Sequence, residues 1–224
     1  MKRTYTKKEA IRIIIATARE YERKLVGKNF LFLYRNRGNN QLEYFETVFL
    51  PRNFQHLSGL EFLDEQGNVR NNSVYFYRSC LSNTITEQQI RFKSDGTTPL
   101  KLAVLPQVVR FLEFSKMTVL YNGRRPKLAL ERLVGTTNYS VGFVQDGQYY
   151  VPSSCLQEDI RDLGDKPSQI LAVLSKRADA SEKQYKEVCY VAKGISLSNL
   201  KLPEELCAVQ NADNPSPRPT PHPR

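Results

Sequence analysis

The sequence predicts an α+β fold in which an N-terminal helix and a second long helix pack on a mainly antiparallel sheet. Three observations carry that prediction. Thr6-Lys7-Lys8-Glu9 is a capping box, the start signal of a helix. Beyond it, short apolar runs alternate with turn-rich breaks in the order of successive hairpins, which favours antiparallel pairing. Asp146-Gly147 stands between two such runs, the dipeptide that suits a two-residue hairpin turn.

The first helix is predicted over about residues 7–26. Ile11, Ile14, Ile15, Ala18, Glu22 and Leu25 recur at helical spacing, and Gly27 is placed to end it. At about 100° per residue, Lys8, Arg12, Arg19 and Arg23 fall in a stripe about 60° wide beside the apolar face. Residues 1–28 hold nine basic and three acidic side chains. That stripe is either a solvated face or a surface for phosphates. Phe30–Tyr34 and Leu42–Leu50 then read as a hairpin with a basic tip at Arg35 and Arg37. Residues 53–61, carrying His56, form a short irregular or helical piece; Val74–Leu81 a short helix; residues 90–93 a strand. Pro106 is expected to open the second long helix, running to about Met117. Leu128–Leu133, Tyr139–Val144, Gln148–Val151, Ile170–Ser175 and Glu187–Ala192 read as strands, and Gln157–Leu163 as a short helix.

The chain of 224 residues is 40% hydrophobic and 25% charged, which excludes wholesale disorder, collagen and coiled coil. A single domain is expected over residues 1–210. Residues 211–224, with proline at 215, 217, 219, 221 and 223, make an extended, disordered tail without a packed core. A formal charge of +10 favours polyanionic partners. No apolar run reaches the roughly 20 residues of a membrane helix, and no signal peptide is read at the N-terminus, so a cytoplasmic protein that engages no membrane is expected. The four cysteines (Cys80, Cys155, Cys189, Cys207) lie far apart with no histidine near them, the pattern of reduced, mostly buried thiols.

Chemistry-bearing residues are few. Of two histidines, His222 lies in the proline-rich tail, which leaves His56 for any imidazole acid–base work. No Walker loop, dinucleotide glycine motif, nucleophile elbow or zinc-protease motif occurs. Neither a metal nor a cofactor is expected. Glu158 and Asp159 are adjacent, which suits capping or solvation better than a shared ion. Tyrosines stand beside cations at Tyr34–Arg35, Tyr77–Arg78, Tyr121 with Arg124 and Arg125, and Tyr190 with Lys193. That pairing suits stacking on unpaired bases while cations hold phosphates, and equally suits strand packing.

Phe54-Gln55-His56-Leu57-Ser58-Gly59 resembles the F-x-H-L-[TS]-G signature of the fourth group of phage barnase–EndoU–colicin–RelE-like nucleases. Asp95-Gly96-Thr97-Thr98-Pro99-Leu100-Lys101-Leu102 with Val104-Leu105-Pro106 resembles that family's D-G-T-T-x-L-K-L-x-V-L-P. Gly142-Phe143, Asp146-Gly147, Tyr149-Tyr150-Val151-Pro152-Ser153-Ser154, then Leu156, Glu158, Asp159, Ile160 and Arg161, and Cys189-Tyr190 with Ala192-Lys193-Gly194 continue the likeness. Two stretches depart from it. Leu112 to Lys116 and Met117 to Tyr121 stand where polar H-K-T-x-R and M-V-G-D-Y runs are expected, and Ser153 replaces an asparagine.

The resemblance implies a barnase/RelE-like core with additions and a metal-independent endoribonuclease of phage or mobile-element origin. RNA would be cleaved by attack of a ribose 2′-hydroxyl with general acid/base help. His56 is the expected acid or base. Tyr150 and Ser153 are candidate hydrogen-bond donors to phosphate, and Lys176 and Lys193 candidate charge stabilisers. Arg124 and Arg125, before Pro126, are candidate phosphate contacts, with Arg12 and Arg19 on the first helix. RNA is the expected partner, with a host or antidote protein as a further one, and the state is a monomer or small homo-oligomer. The altered 112–120 stretch keeps open an alternative: a catalytically weakened module that binds RNA or a host protein on the same fold.

Overall fold

In the computed structural model the described residues are 4–114, 116–124, 126, 128–179, 184–200 and 206. The proline-rich tail, Cys207, His222 and Arg125 lie outside them.

Helix α1 (Lys7–Lys24) starts as its sequence predicts. The Thr6 hydroxyl accepts from the Glu9 N–H at 3.2 Å, and Glu9 accepts from the Thr6 N–H at 2.8 Å. Ala10, Ile14, Ala18 and Tyr21 turn into the core, and Gly27 follows the helix at φ +74°. The chain continues through β1 (Lys28–Arg35), β2 (Leu42–Val48), α2 (Asn53–Ser58), β3 (Leu60–Phe62), α3 (Ser73–Leu81), β4 (Ile90–Phe92), α4 (Thr98–Val108) and α5 (Phe111–Phe114). Strands β5 (Met117–Leu120), β6 (Arg132–Gly135), β7 (Ser140–Asp146), β8 (Tyr149–Leu156), β9 (Ser168–Arg177) and β10 (Glu187–Val191) complete it.

The main sheet runs β1-β2-β8-β7-β6-β5-β9-β10 and is antiparallel except at β2–β8. Because β1 also pairs along β9, seven strands close into a ring with β10 added outside. Two seams of the ring are short: Thr47 meets Tyr150 in a single pair, and β5 meets β9 through Met117–Gln169 and Thr118–Ser168. Strands β3 and β4 form a separate ribbon.

Phe30, Phe32, Phe45, Val141, Phe143 and Val173 of the ring pack with helices α1 to α4 in one core. On the other face of β1 and β9, Leu31, Leu33 and Leu174 are covered by Tyr185, Leu197 and Leu200. Val119, Leu133 and Leu156 are covered by Ile160 and Leu163. Such two-sided burial explains why β1 and β9 read as continuous apolar runs rather than alternating ones.

Three expectations need correction. The second long helix is α4, not a helix from Pro106 to Met117. Pro99 sits in its first turn and Pro106 near its end, where the missing N–H leaves the carbonyl four residues back without its helical donor, and the helix stops at Val108. Met117, expected to end that helix, instead opens strand β5, where β-branched Thr118 and Val119 pair with β6. Gln157–Leu163 holds only a 3-10 turn, Ile160–Asp162, started by Asp159, which accepts from the Arg161 N–H at 2.9 Å. The Asp146-Gly147 hairpin forms as expected, with Gly147 at φ +63°.

Candidate active site

Helix α2 places its one imidazole by simple geometry. In six residues it buries Phe54 and Leu57 and leaves His56 exposed. It ends at Gly59, whose φ of +67° suits a residue without a Cβ. A Cβ at Gly59 would also stand 2.7 Å from Cδ of Lys101, whose stem crosses this point. The Lys101 ammonium then donates to the His56 carbonyl at 2.8 Å, satisfying one of the last carbonyls of α2.

Helix α4 delivers that lysine. Asp95 accepts from the Thr97 N–H at 2.9 Å and the Thr97 hydroxyl at 2.6 Å, folding the Asp95-Gly96-Thr97-Thr98 turn. The Thr98 hydroxyl donates to the Gly59 carbonyl at 2.6 Å and accepts from the Lys93 N–H at 2.9 Å, joining α4, α2 and the end of β4. Beneath them, Cys155 of β8 donates its S–H to the Leu57 carbonyl at 3.1 Å. Desolvation pushes that thiol up to about 12, so at neutral pH it is a neutral packing group.

The result is an imidazole under the charge of two lysines from separate segments. Partial desolvation, and then the charges of Lys101 and Lys93, lower the His56 pKa below its ordinary 6.5. Half-buried Lys101 is likewise lowered, first by desolvation and further by Lys93, with Asp95 and Cys155 opposing. Asp95 is held ionised mainly by the Thr97 hydroxyl. A neutral imidazole accepts a proton, and an ammonium whose pKa is lowered gives one up more readily.

The other expected site residues are dispersed. Ser153 is the extra residue of a bulge in β8, between Ser154, paired with Gly142, and Pro152, paired with Phe143. It lies two residues from Cys155, on the strand that packs under α2 and α4. Tyr150 lies at the other end of β8, its ring 5.6 Å from the guanidinium of Arg132. Lys176 sits over the ring of Tyr185 at 4.7 Å, in the cluster on the far side of the sheet from the helices. Lys193 is exposed beyond β10. Arg124 is exposed past β5, its N–H donating to Asn122 at 3.0 Å. Arg12 lines an open groove of about 450 Å³ with Lys8, Ile11, Ile15, Asn83 and Glu87, and Arg19 is exposed further along α1. Two of the tyrosine–cation pairs resolve as packing: Tyr77 is buried in the core, and the ring of Tyr190 takes Lys116 as a cation neighbour at 5.1 Å.

Lys93 and Arg132 were not legible as site residues, and Lys101 was legible only as a motif member. Lys93 falls in a short strand end with nothing to mark it. The one signal for Arg132 is its place in Arg132–Gly135, where period two puts it on the same face as Val134, a core residue. Among the described residues no three His, Cys, Asp or Glu side chains gather as a metal site requires.

The class these features define is an α+β protein that holds one cation-flanked histidine over a large, mainly antiparallel sheet. The chain belongs to the PBECR4 family, the phage-Barnase-EndoU-ColicinE5/D-RelE like nuclease 4 group, whose model matches residues 13–193. That span contains both motifs that meet at His56. No curated protein and no solved structure matches the chain. Among the described residues, no helix is long and apolar enough to cross a membrane.

Proposed function

We propose that this nuclease-family member is a metal-independent, toxin-like endoribonuclease of phage or mobile-element origin, acting in the bacterial cytoplasm. One observation carries the reading: His56, the one imidazole among the described residues, is exposed and has its pKa lowered by partial desolvation and by the charges of Lys101 and Lys93. Neutral His56 takes the proton of a ribose 2′-hydroxyl, and that oxygen bonds to the adjacent phosphorus. The bond from phosphorus to the 5′-oxygen breaks, and the leaving oxygen takes a proton from Lys101. The Lys93 ammonium offsets the negative charge growing on the phosphoryl oxygens. The products are a 2′,3′-cyclic phosphate and a 5′-hydroxyl. Ser153 is the candidate hydrogen-bond donor within this neighbourhood.

The test is labelled RNA incubated with the whole protein in EDTA. Products ending in 2′,3′-cyclic phosphate, lost in His56→Ala, support the reading. RNA that stays intact overturns it. Intact RNA that still shifts in a gel favours instead the binding module on the same fold, and binding that survives high salt points to a host or antidote protein.

A further inference from the structure

Arg132 projects from β6 into a cage built by three other strands. Its guanidinium carbon lies 4.5 Å from the ring centre of Phe45, 5.2 Å from Tyr34 and 5.6 Å from Tyr150. The residue is 9% exposed, and its Nε–H is buried with no hydrogen-bond partner. Aromatic stacking covers the faces of a guanidinium but not its in-plane N–H groups; one side of that edge hydrogen-bonds Tyr34, and the Nε–H is left without an acceptor. A buried donor without an acceptor is rare in folded proteins and calls for a partner.

The neighbouring carboxylate does not fill that role. Glu43 accepts from the Tyr34 hydroxyl at 2.6 Å, the Asn36 amide at 2.7 Å and the Asn39 amide at 3.1 Å, and it meets Arg132 through charge without bonding its Nε–H. Tyr34 of the cage adjoins the β1–β2 hairpin tip, which carries exposed Arg35 and Arg37. On the other side of Arg132, exposed Glu131 is turned to the Gln145 N–H, which it accepts at 3.0 Å. Three arginines against two engaged carboxylates make this end of the ring cationic.

We infer that Arg132 is a seat for a backbone phosphate of the RNA strand, outside the phosphate that is cleaved. A phosphate oxygen supplies the missing in-plane acceptor, and a guanidinium pre-set by three rings offers it the fork geometry that phosphate matches. Strand β8 links the two places, with Cys155 under the His56 helix and Tyr150 in the cage. Five residues at about 3.3 Å each separate them by roughly 17 Å, a span of a few nucleotides. The identity of the polyanion rests on the nuclease reading above; the seat itself rests on the cage.

The test uses a labelled oligonucleotide methylated at every 2′-oxygen, which the proposed chemistry cannot cut. In the ¹⁵N-labelled whole protein, the Arg132 Nε–H signal should move as the oligonucleotide is added. Arg132→Gln and Arg132→Lys should each weaken binding about tenfold, the lysine because it is a point charge without the fork. The slope of log affinity against log salt should fall by about one in Arg132→Gln. An Nε–H signal unmoved at saturation, variants that bind like wild type, or an oligonucleotide that does not bind would overturn the seat; the wild-type signal decides if the variants do not fold. Cleavage of ordinary RNA is read separately. Intact RNA with a moving Arg132 signal sinks the nuclease reading alone, and cleavage with a still signal sinks the seat alone.

Discussion

His56 and Lys101 are coupled groups, and their coupling makes the pH behaviour of the protein specific. A base must be unprotonated, and the folded His56 pKa is displaced below 6.5 by desolvation and by the two lysines. The acidic limb of the cleavage profile is therefore expected below 6.5 in wild type. Lys101→Met should move that limb upward while lowering the rate, because it removes one repelling charge together with the proton donor. A pH–rate profile of both proteins checks this; an unshifted limb would mean that His56 is not the titrating base. The same displacement predicts a stability effect. Between the folded value and 6.5 the unfolded chain binds more protons than the folded one, so stability rises with pH through that window. Above 6.5 the group is neutral in both states and contributes no slope. Urea titrations across this range should show the slope in wild type and lose it in His56→Ala.

At the scale of elements, the site depends on how α2 ends. Gly59 meets two demands at once, a left-handed backbone and clearance for the Lys101 stem. Gly59→Ala is expected to cost about 1–2 kcal/mol from the backbone conformation alone, measured by denaturant unfolding. It should also reduce cleavage beyond that stability loss, since the new methyl displaces the lysine from the helix end. The capping box of α1 provides a contrast far from the chemistry. Thr6→Ala should cost about 1 kcal/mol and leave the rate of the folded protein unchanged. Both motifs were visible in the sequence, yet only contact explains them. The glycine of F-Q-H-L-S-G and the lysine of D-G-T-T-P-L-K-L answer each other across 42 residues, and Thr98 ties the two segments by one hydroxyl.

The molecule as a whole is held by an aromatic core shared between the ring and the helices. Phe49 packs against Tyr21, Phe30, Phe111 and Phe143, one contact each from α1, β1, α5 and β7. Phe49→Ala should therefore destabilise by about 3–5 kcal/mol in equilibrium unfolding, with the loss spread over both layers. Phe111, just before the stretch that departs from the family pattern, is fully buried in this core, and Val119 of β5 is buried with Ile160 and Leu163. Within that stretch Leu112, where a polar residue was expected, packs partly buried against the same core, while Leu120 stays exposed.

Local chemistry made much of this protein readable in advance. The capping box, the Asp146-Gly147 turn and the alternating runs act within a few residues, so α1, the hairpins and the antiparallel character of the sheet follow from sequence alone. The single usable histidine was equally plain. The tertiary structure alone decided three things: that the strands close into a ring, that Lys93 and Lys101 rather than Lys176 and Lys193 stand beside His56, and that Arg132 is enclosed by rings from three other strands. Each depends on contacts between residues distant in the chain, and no local rule of spacing or propensity encodes which distant side chains will share a face.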